Sequence, residues 1–348
     1  MRSLVRSAAV LTAGLLMIPA LAAPSSAAKP TSLSGSWLAR QLGTGVVQGP
    51  YGPDAGLTAD TALALKALGH HRQALKKARR GLGENLGGWI GTGGEVYAGS
   101  VAKAAVTAKT LGANPRSFGG VNLLKRLGAQ VTAAGPAKGR IHDTSAYGDY
   151  ANTIGQAYAA RALSSAHSPK ARSVVRFLLA QQCGKGYFRL TFASTSAASQ
   201  KCAAGSAPDT DTTALAVLSL SSIAHPNAKV RASITKATRW LKRQQHRNGS
   251  FGGGPTTAAP NANSTGVAGW ALGEVGACKQ ARRAASWVKR LQVGAKAGGA
   301  LAHDRGAIAY DRAALSTART VGITGASQDE WRRATAQAAP ALRFLHGC

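Results

Sequence analysis

The residues best suited to chemistry are Asp209 and Asp211, at the head of the stretch Asp209-Thr210-Asp211-Thr212-Thr213. Two carboxyls this close, set against an apolar wall, do not both ionise cheaply, so one keeps its proton to a higher pH than a free aspartate does. Such a group can hand that proton to an apolar substrate. A plainer role suits the same pair. Aspartates at a helix start accept hydrogen bonds from its first amides and complement its dipole. Further candidates for holding a ligand are Thr212 and Thr213 beside the pair, then Asp60, Asp149, Tyr150, Asn152, Asn263, Trp270, Tyr310 and Asp311. Tyr97 and Tyr158 add rings on segments of the same kind.

These residues are carried by a repeating element. Ala-rich, nearly uncharged runs with a polar head cover 57–69, 96–112, 149–164, 209–223, 261–276 and, more weakly, 307–322, their starts roughly 40 to 60 residues apart. Helices so evenly apolar are buried on all sides. The Asp, Asn, Ser and Thr at their heads are preferred N-caps, and several runs stop at a glycine. A second helix type alternates with them, over 36–42, 71–82, 121–131, 168–182, 227–247, 279–292 and 327–345. It is basic on one face and aromatic or aliphatic on the other, as in Arg239-Trp240-Leu241-Lys242-Arg243. The pattern predicts an all-α fold of about six inner and six to seven outer helices, closed into a double ring or left as an open solenoid. Glycine-rich turns carrying an aromatic residue, such as Ser250-Phe251-Gly252-Gly253, connect outer to inner helices.

The 348 residues carry 43 Lys and Arg against 13 Asp and Glu, a net charge of +30. A surface this basic attracts anionic polymers and lipid head groups. Residues 1–28 read as a secretion signal, with Arg2 and Arg6 ahead of an apolar core and small residues behind it, leaving 29–348 as one secreted domain. Export argues against nucleic acid as the partner, and a monomer is expected. Four cysteines in an exported chain imply disulfides, and Cys183–Cys202 with Cys278–Cys348 is the expected pairing. No zinc-type cysteine spacing, phosphate-cradling glycine loop or Gly-x-Ser-x-Gly elbow occurs, so neither metal nor cofactor is expected.

One segment carries a resemblance. Lys236-Ala237-x-x-Trp240-Leu241-x-x-x-Gln245-x-x-x-Gly249-x-Phe251 resembles the glutamine–tryptophan repeat of squalene and terpenoid cyclases, with Phe251 in place of the usual tryptophan. Phe177, Leu178, Gln182 and Gly186 form a weaker copy. The resemblance implies the α/α toroid shared by terpene cyclases, protein prenyltransferase β subunits and cobalamin carriers. Asp209-x-Asp211-Thr212-Thr213 is similar to the Asp-x-Asp-Asp of class II terpene cyclases, which implies Asp211 as the residue that protonates an alkene or epoxide. The stretch from Asn263 to Leu272 resembles inner-helix starts of the cobalamin carriers. These likenesses imply a protein that binds a small, largely apolar, isoprenoid-like ligand at the mouth of the toroid. The alternatives are a class II cyclase-like enzyme using Asp211, a toroidal glycosidase with paired carboxylates, and a basic scaffold held on the cell envelope.

Overall fold

The computed structural model describes residues 28–69 and 71–348. All but the last residue of the expected leader lies outside the described residues. Helix α1 (Pro30–Gln41) is followed by a small antiparallel hairpin, β1 (Val47–Gly49) and β2 (Gly52–Asp54), and by α2 (Ala55–Leu68). Then come α3 (Arg72–Glu84), the short α4 (Leu86–Ile90) and α5 (Ala98–Thr110), followed by α6 (Leu123–Ala129) and α7 (Thr153–Ser165). The alternation continues through α8 (Ala171–Ala180), α9 (Thr210–Ser221), α10 (Ala228–Gln244), α11 (Ala262–Glu274) and α12 (Cys278–Leu291). Two helices, α13 (Arg312–Val321) and α14 (Gln328–Ala338), precede a final 3₁₀ segment, Ala339–Phe344.

Six helices form an inner ring. Helix α2 packs on α5, α5 on α7, α7 on α9, α9 on α11, α11 on α14, and α14 returns to α2. The ring closes, so the open solenoid is not the architecture. Helices α1, α3, α6, α8, α10 and α12 pack against it from outside. An inner helix has protein on both sides and two close neighbours in the ring, which is why its residues are apolar and small. A Cβ on Gly155 would lie 2.9 Å from Gly99 Cα, and one on Gly266 would lie 2.2 Å from Ala338 Cα. Backbone touches backbone there. Outer helices need one apolar face only: α12 buries Trp287, Val288 and Leu291 and leaves Arg282 and Arg290 in solvent.

The sixth inner position corrects the sequence reading. Helix α13, expected inside, sits at the periphery against the 3₁₀ turn Gly299–Leu301, and α14, expected outside, completes the ring. Its sequence looked like a surface helix because its first turn carries charge. Arg333 pairs with Asp329 (2.7 Å) and with Asp54 (2.6 Å), while Trp331, Ala334, Thr335 and Ala338 are buried.

Two side-chain devices recur around the ring. A hydroxyl or amide on an inner helix receives the backbone N–H of the preceding turn: Val47 on Thr58, Ile141 on Gln156, Phe188 on Thr213, Phe251 on Thr265 and Ile308 on Thr335. A glutamine near the end of an outer helix reaches the next outer helix. Gln182 donates to Ser233 O (3.0 Å), Gln245 to Gln280 O (2.9 Å) and Gln292 to Pro30 O (2.7 Å), the last joining α12 to α1 across the seam. At the same seam Trp37 Nε1 donates to Asp304 Oδ1 (3.0 Å) and Ser34 Oγ to Gly306 O (2.6 Å). Gly306 has φ +99°, and a Cβ on it would stand 2.0 Å from Leu33 O, so α1 docks only against a glycine there.

The cysteines pair as Cys183–Cys202 and Cys278–Cys348, with Cα–Cα distances of 5.1 and 5.3 Å. The first closes a loop of sequence separation 19 that leads into α9. Replacing both Cys183 and Cys202 by Ser is expected to cost about 3 kcal/mol from lost loop constraint alone. Urea unfolding measures this, and a cost below about 1 kcal/mol would show that the loop is held without the cross-link.

Candidate functional site

The inner ring surrounds a cavity of about 540 Å³. Each wall follows from a local rule. Asp209 caps α9, its Oδ1 accepting from Thr212 N (2.8 Å), and this fixes Asp211 in the first turn on the cavity wall. Asn152 caps α7 through Ile154 N and Gly155 N and brings Tyr158 and Arg161 to the wall one and two turns further on. Helix α2 starts two residues ahead of the run read from 57, with Asp54 as the cap. Asp60 is therefore in the second turn, facing the cavity, where it pairs with Lys103 of α5 at 2.7 Å. Asn261, the first residue of its run, caps α11.

Asp211 is the distinctive group. Its Oδ1 is buried and has no hydrogen-bond partner. Burial pushes its carboxyl up to about 6; the nearby Ser264 hydroxyl opposes this and the charge on Asp209 adds to it. Ser264 Oγ is close enough to matter, yet it makes no hydrogen bond of proper geometry and is itself buried without a partner. What seals the pair is the turn before α11. A Cβ on Gly253 would lie 2.7 Å from Asp211 Oδ2 and 2.8 Å from Ser264 Oγ, and one on Gly254 would lie 2.4 Å from Asp209 Oδ2. These glycines let backbone press onto the carboxyls from that side; the sequence reading had placed Gly253 in a tight turn and had not singled out Gly254.

Other polar groups on the wall are already engaged. Lys103 also donates to Gly56 O (3.1 Å). Burial alone would lower its pKa, but the charge on Asp60, with Tyr158 and Asp54 adding, carries it above the ordinary lysine range. Asp143 is raised by burial although both its oxygens accept amide hydrogen bonds, from Ala98 (2.7 Å) and Tyr150 (3.2 Å). Tyr97 Oη donates to Glu95 Oε2 (2.5 Å). Five aromatic side chains line the cavity: Trp89, Tyr97, Tyr150, Tyr158 and Trp270. Among the described residues no group of three or more His, Cys, Asp or Glu is placed to hold a metal ion.

No protein-family model and no curated protein matches the sequence. Solved structures do resemble it. A protein from Actinoplanes superposes with a TM-score of 0.59 at 18% identity, covering 91% of this chain and 98% of that one. The type II terpene cyclase MstE from Scytonema, in complex with geranylgeranyl dihydroxybenzoate, gives 0.61 at 15% identity over 91% and 96%. The unsaturated glucuronyl hydrolase from Bacillus sp. GL1 gives 0.55 at 12% identity over 92% and 97%. The chain is an α/α toroid. Likenesses at these identities speak for the fold alone.

Within the toroid, Asp60, Tyr150, Asn152, Asp211 and Trp270 come together on the cavity wall. Asp209 stands beside Asp211 but serves as the cap. Thr213 gives its hydroxyl to Asp209 O and takes Phe188 N, so it is committed to the backbone. Thr212 is fully buried, with its hydroxyl unpartnered. Asp149 braces the loop below Tyr150, pairing with Arg140 (2.8 Å) and accepting from Asp143 N (2.9 Å). Asn263, Tyr310 and Asp311 are not on the cavity wall; Asp311 caps the peripheral α13 and lines an outer groove with Trp287. The sequence reading missed Lys103, Asp143 and Arg161. For Lys103 and Arg161 a signal existed, a cation in an otherwise apolar inner run.

Proposed function

We propose that the toroid takes a small, largely apolar, isoprenoid-like molecule into its cavity and that Asp211 protonates it, in the manner of class II terpene cyclisation. The observation that carries this reading is Asp211 itself: a carboxyl raised to about 6 on the wall of an aromatic-lined cavity. Addition of its proton to a trisubstituted alkene leaves a tertiary cation. An internal alkene attacks that cation, and loss of a proton ends the reaction, so the product is an isomer of the substrate. Aromatic faces stabilise the passing positive charge. The likeness to type II terpene cyclases supports the reading at the level of the fold.

A two-carboxylate glycosidase fits less well, because Asp60 is tied to Lys103 and both oxygens of Asp143 are held by amides. Export of the mature domain 29–348 is part of the proposal, supported by the two disulfides. Among the described residues no helix is long and apolar enough to cross a membrane. The charge of +30 supports a secondary attachment to anionic envelope polymers or lipid.

Incubation with farnesol, geranylgeraniol or squalene in D₂O tests the chemistry. The expected product is a cyclic isomer with one carbon-bound deuterium, read by mass spectrometry. If the alcohols bind and return unchanged, the toroid is a carrier and Asp211 is not an acid catalyst. If none of them binds, the isoprenoid reading fails.

A further inference from the structure

The ring has a second opening. At the C-terminal ends of the inner helices lies a pocket of about 280 Å³ to which all six positions of the ring contribute, from Lys66 on α2 to Arg343 just after α14. Leu63, Leu218, Trp270 and Arg161 line both this pocket and the main cavity and so form the partition between them.

Charge on this axial pocket is unbalanced. Its one acid, Glu274, is already taken: Oε1 accepts from Arg343 Nη1 (2.6 Å) and from Trp270 Nε1 (3.0 Å). Cations at helix C-termini have an ordinary explanation in the helix dipole, which accounts for Lys66 in the last turn of α2 and Arg343 at the end of its 3₁₀ segment. Arg161 has no such explanation. It lies before the last turn of α7, donates no hydrogen bond and forms no ion pair among the described residues. Burial holds its pKa below the ordinary range; Tyr158 and Glu274 only partly oppose this. A guanidinium half-buried on a pocket wall without a partner is suited to an anion that comes to it. Its planar fork suits two oxygens of one carboxylate or phosphate.

We infer that this axial pocket is an oxyanion site in which Arg161 is the principal donor and Lys66 sits at the rim. The ligand class is a phosphate or carboxylate. It arrives either as a free ion from the far face or as the head group of an amphiphile whose chain passes the partition into the main cavity. The inference stands apart from proton donation by Asp211, since it needs no turnover.

The test is calorimetric titration of the mature, disulfide-intact protein with inorganic phosphate, dodecyl phosphate and dodecanol, following tryptophan emission in parallel. The expected result is one-to-one binding of a phosphate, weakened at least tenfold in Arg161→Gln. Arg161→Lys should recover part of it, and Arg239→Gln, on the exposed face of α10, should leave it unchanged. Binding of inorganic phosphate identifies a free-ion site; binding of dodecyl phosphate alone, with dodecanol silent, identifies a head-group site. Removing a half-buried, unpaired cation should leave the melting temperature unchanged or raise it. Phosphate affinity indifferent to Arg161, no binding by either phosphate, or an Arg161→Gln variant that fails to fold would each overturn the inference.

Discussion

Asp211→Asn is expected to reduce turnover of an isoprenoid substrate by about 10³-fold, the scale of a lost general acid, while changing its affinity only a few-fold. The amide matches the carboxyl in shape but has no proton acidic enough to give an alkene. The variant should not be crippled as a fold. Burial raises the Asp211 pKa from 3.8 to about 6. The stability this contributes is present below pH 3.8 and lost as pH rises through about 6, so at neutral pH the native protein carries a buried, ionised Asp211. Asparagine carries no such charge, and the variant should melt no lower than wild type at pH 7 and higher relative to it than at pH 4. The same sign governs activity. Only the protonated acid works, so the wild-type rate should be flat below pH 6 and fall as the pH rises above it. Product analysis across pH 4 to 8, with melts on both proteins, separates chemistry from folding. An Asn variant retaining a tenth of the activity would remove Asp211 from the mechanism.

Trp37→Ala should cost about 4 kcal/mol or more, at the upper end for a buried ring cut to a methyl. Trp37 is 1% exposed and packs in the cluster that includes Leu38, Leu42 and Trp331. Its indole N–H is also the bond to Asp304 across the seam, and that carboxylate loses its partner. Helix α1 is the piece that joins the two ends of the ring, so the loss falls where no neighbouring repeat compensates. Urea unfolding gives the number. Trp37→Phe should restore most of the packing and none of the hydrogen bond, and so recover more than half of the loss. A cost below about 1.5 kcal/mol would mean that the seam is held by the glutamine and serine contacts instead.

The double ring was legible in the chain because its two helix types differ in charge, and burial on two sides leaves room for little but alanine, glycine and leucine. The cyclase-like repeat at Trp240 and Gln245 was legible for the same kind of reason. Its glutamine amide spans from one outer helix to the next, a job few side chains do at that spacing. The exchange of α13 and α14 was not legible. The pairing of Arg333 with Asp54, 279 residues away, makes a charged first turn compatible with an inner position, and no local pattern reports such a partner. The start of α2 was read late, since its run was taken from 57 and the cap is Asp54. The carboxyl pair was found, but not the backbone that covers it: Gly253 and Gly254 approach it through a contact between two different turns of the chain.

The seam has a consequence for how the molecule comes into being. Its contacts join residues 258 to 291 positions apart, such as Gln292 with Ser34 and Arg332 with Gln41. Helix α1 is the first of the described helices to be synthesised, and besides α2 its docking surface comes from the last fifth of the chain. A nascent chain therefore accumulates helical hairpins in a growing arc and locks them only after α14 has emerged. Loss of a handful of C-terminal residues should act less like trimming an end than like removing the clasp from a bracelet, and the slowest step of refolding should be the meeting of the two ends.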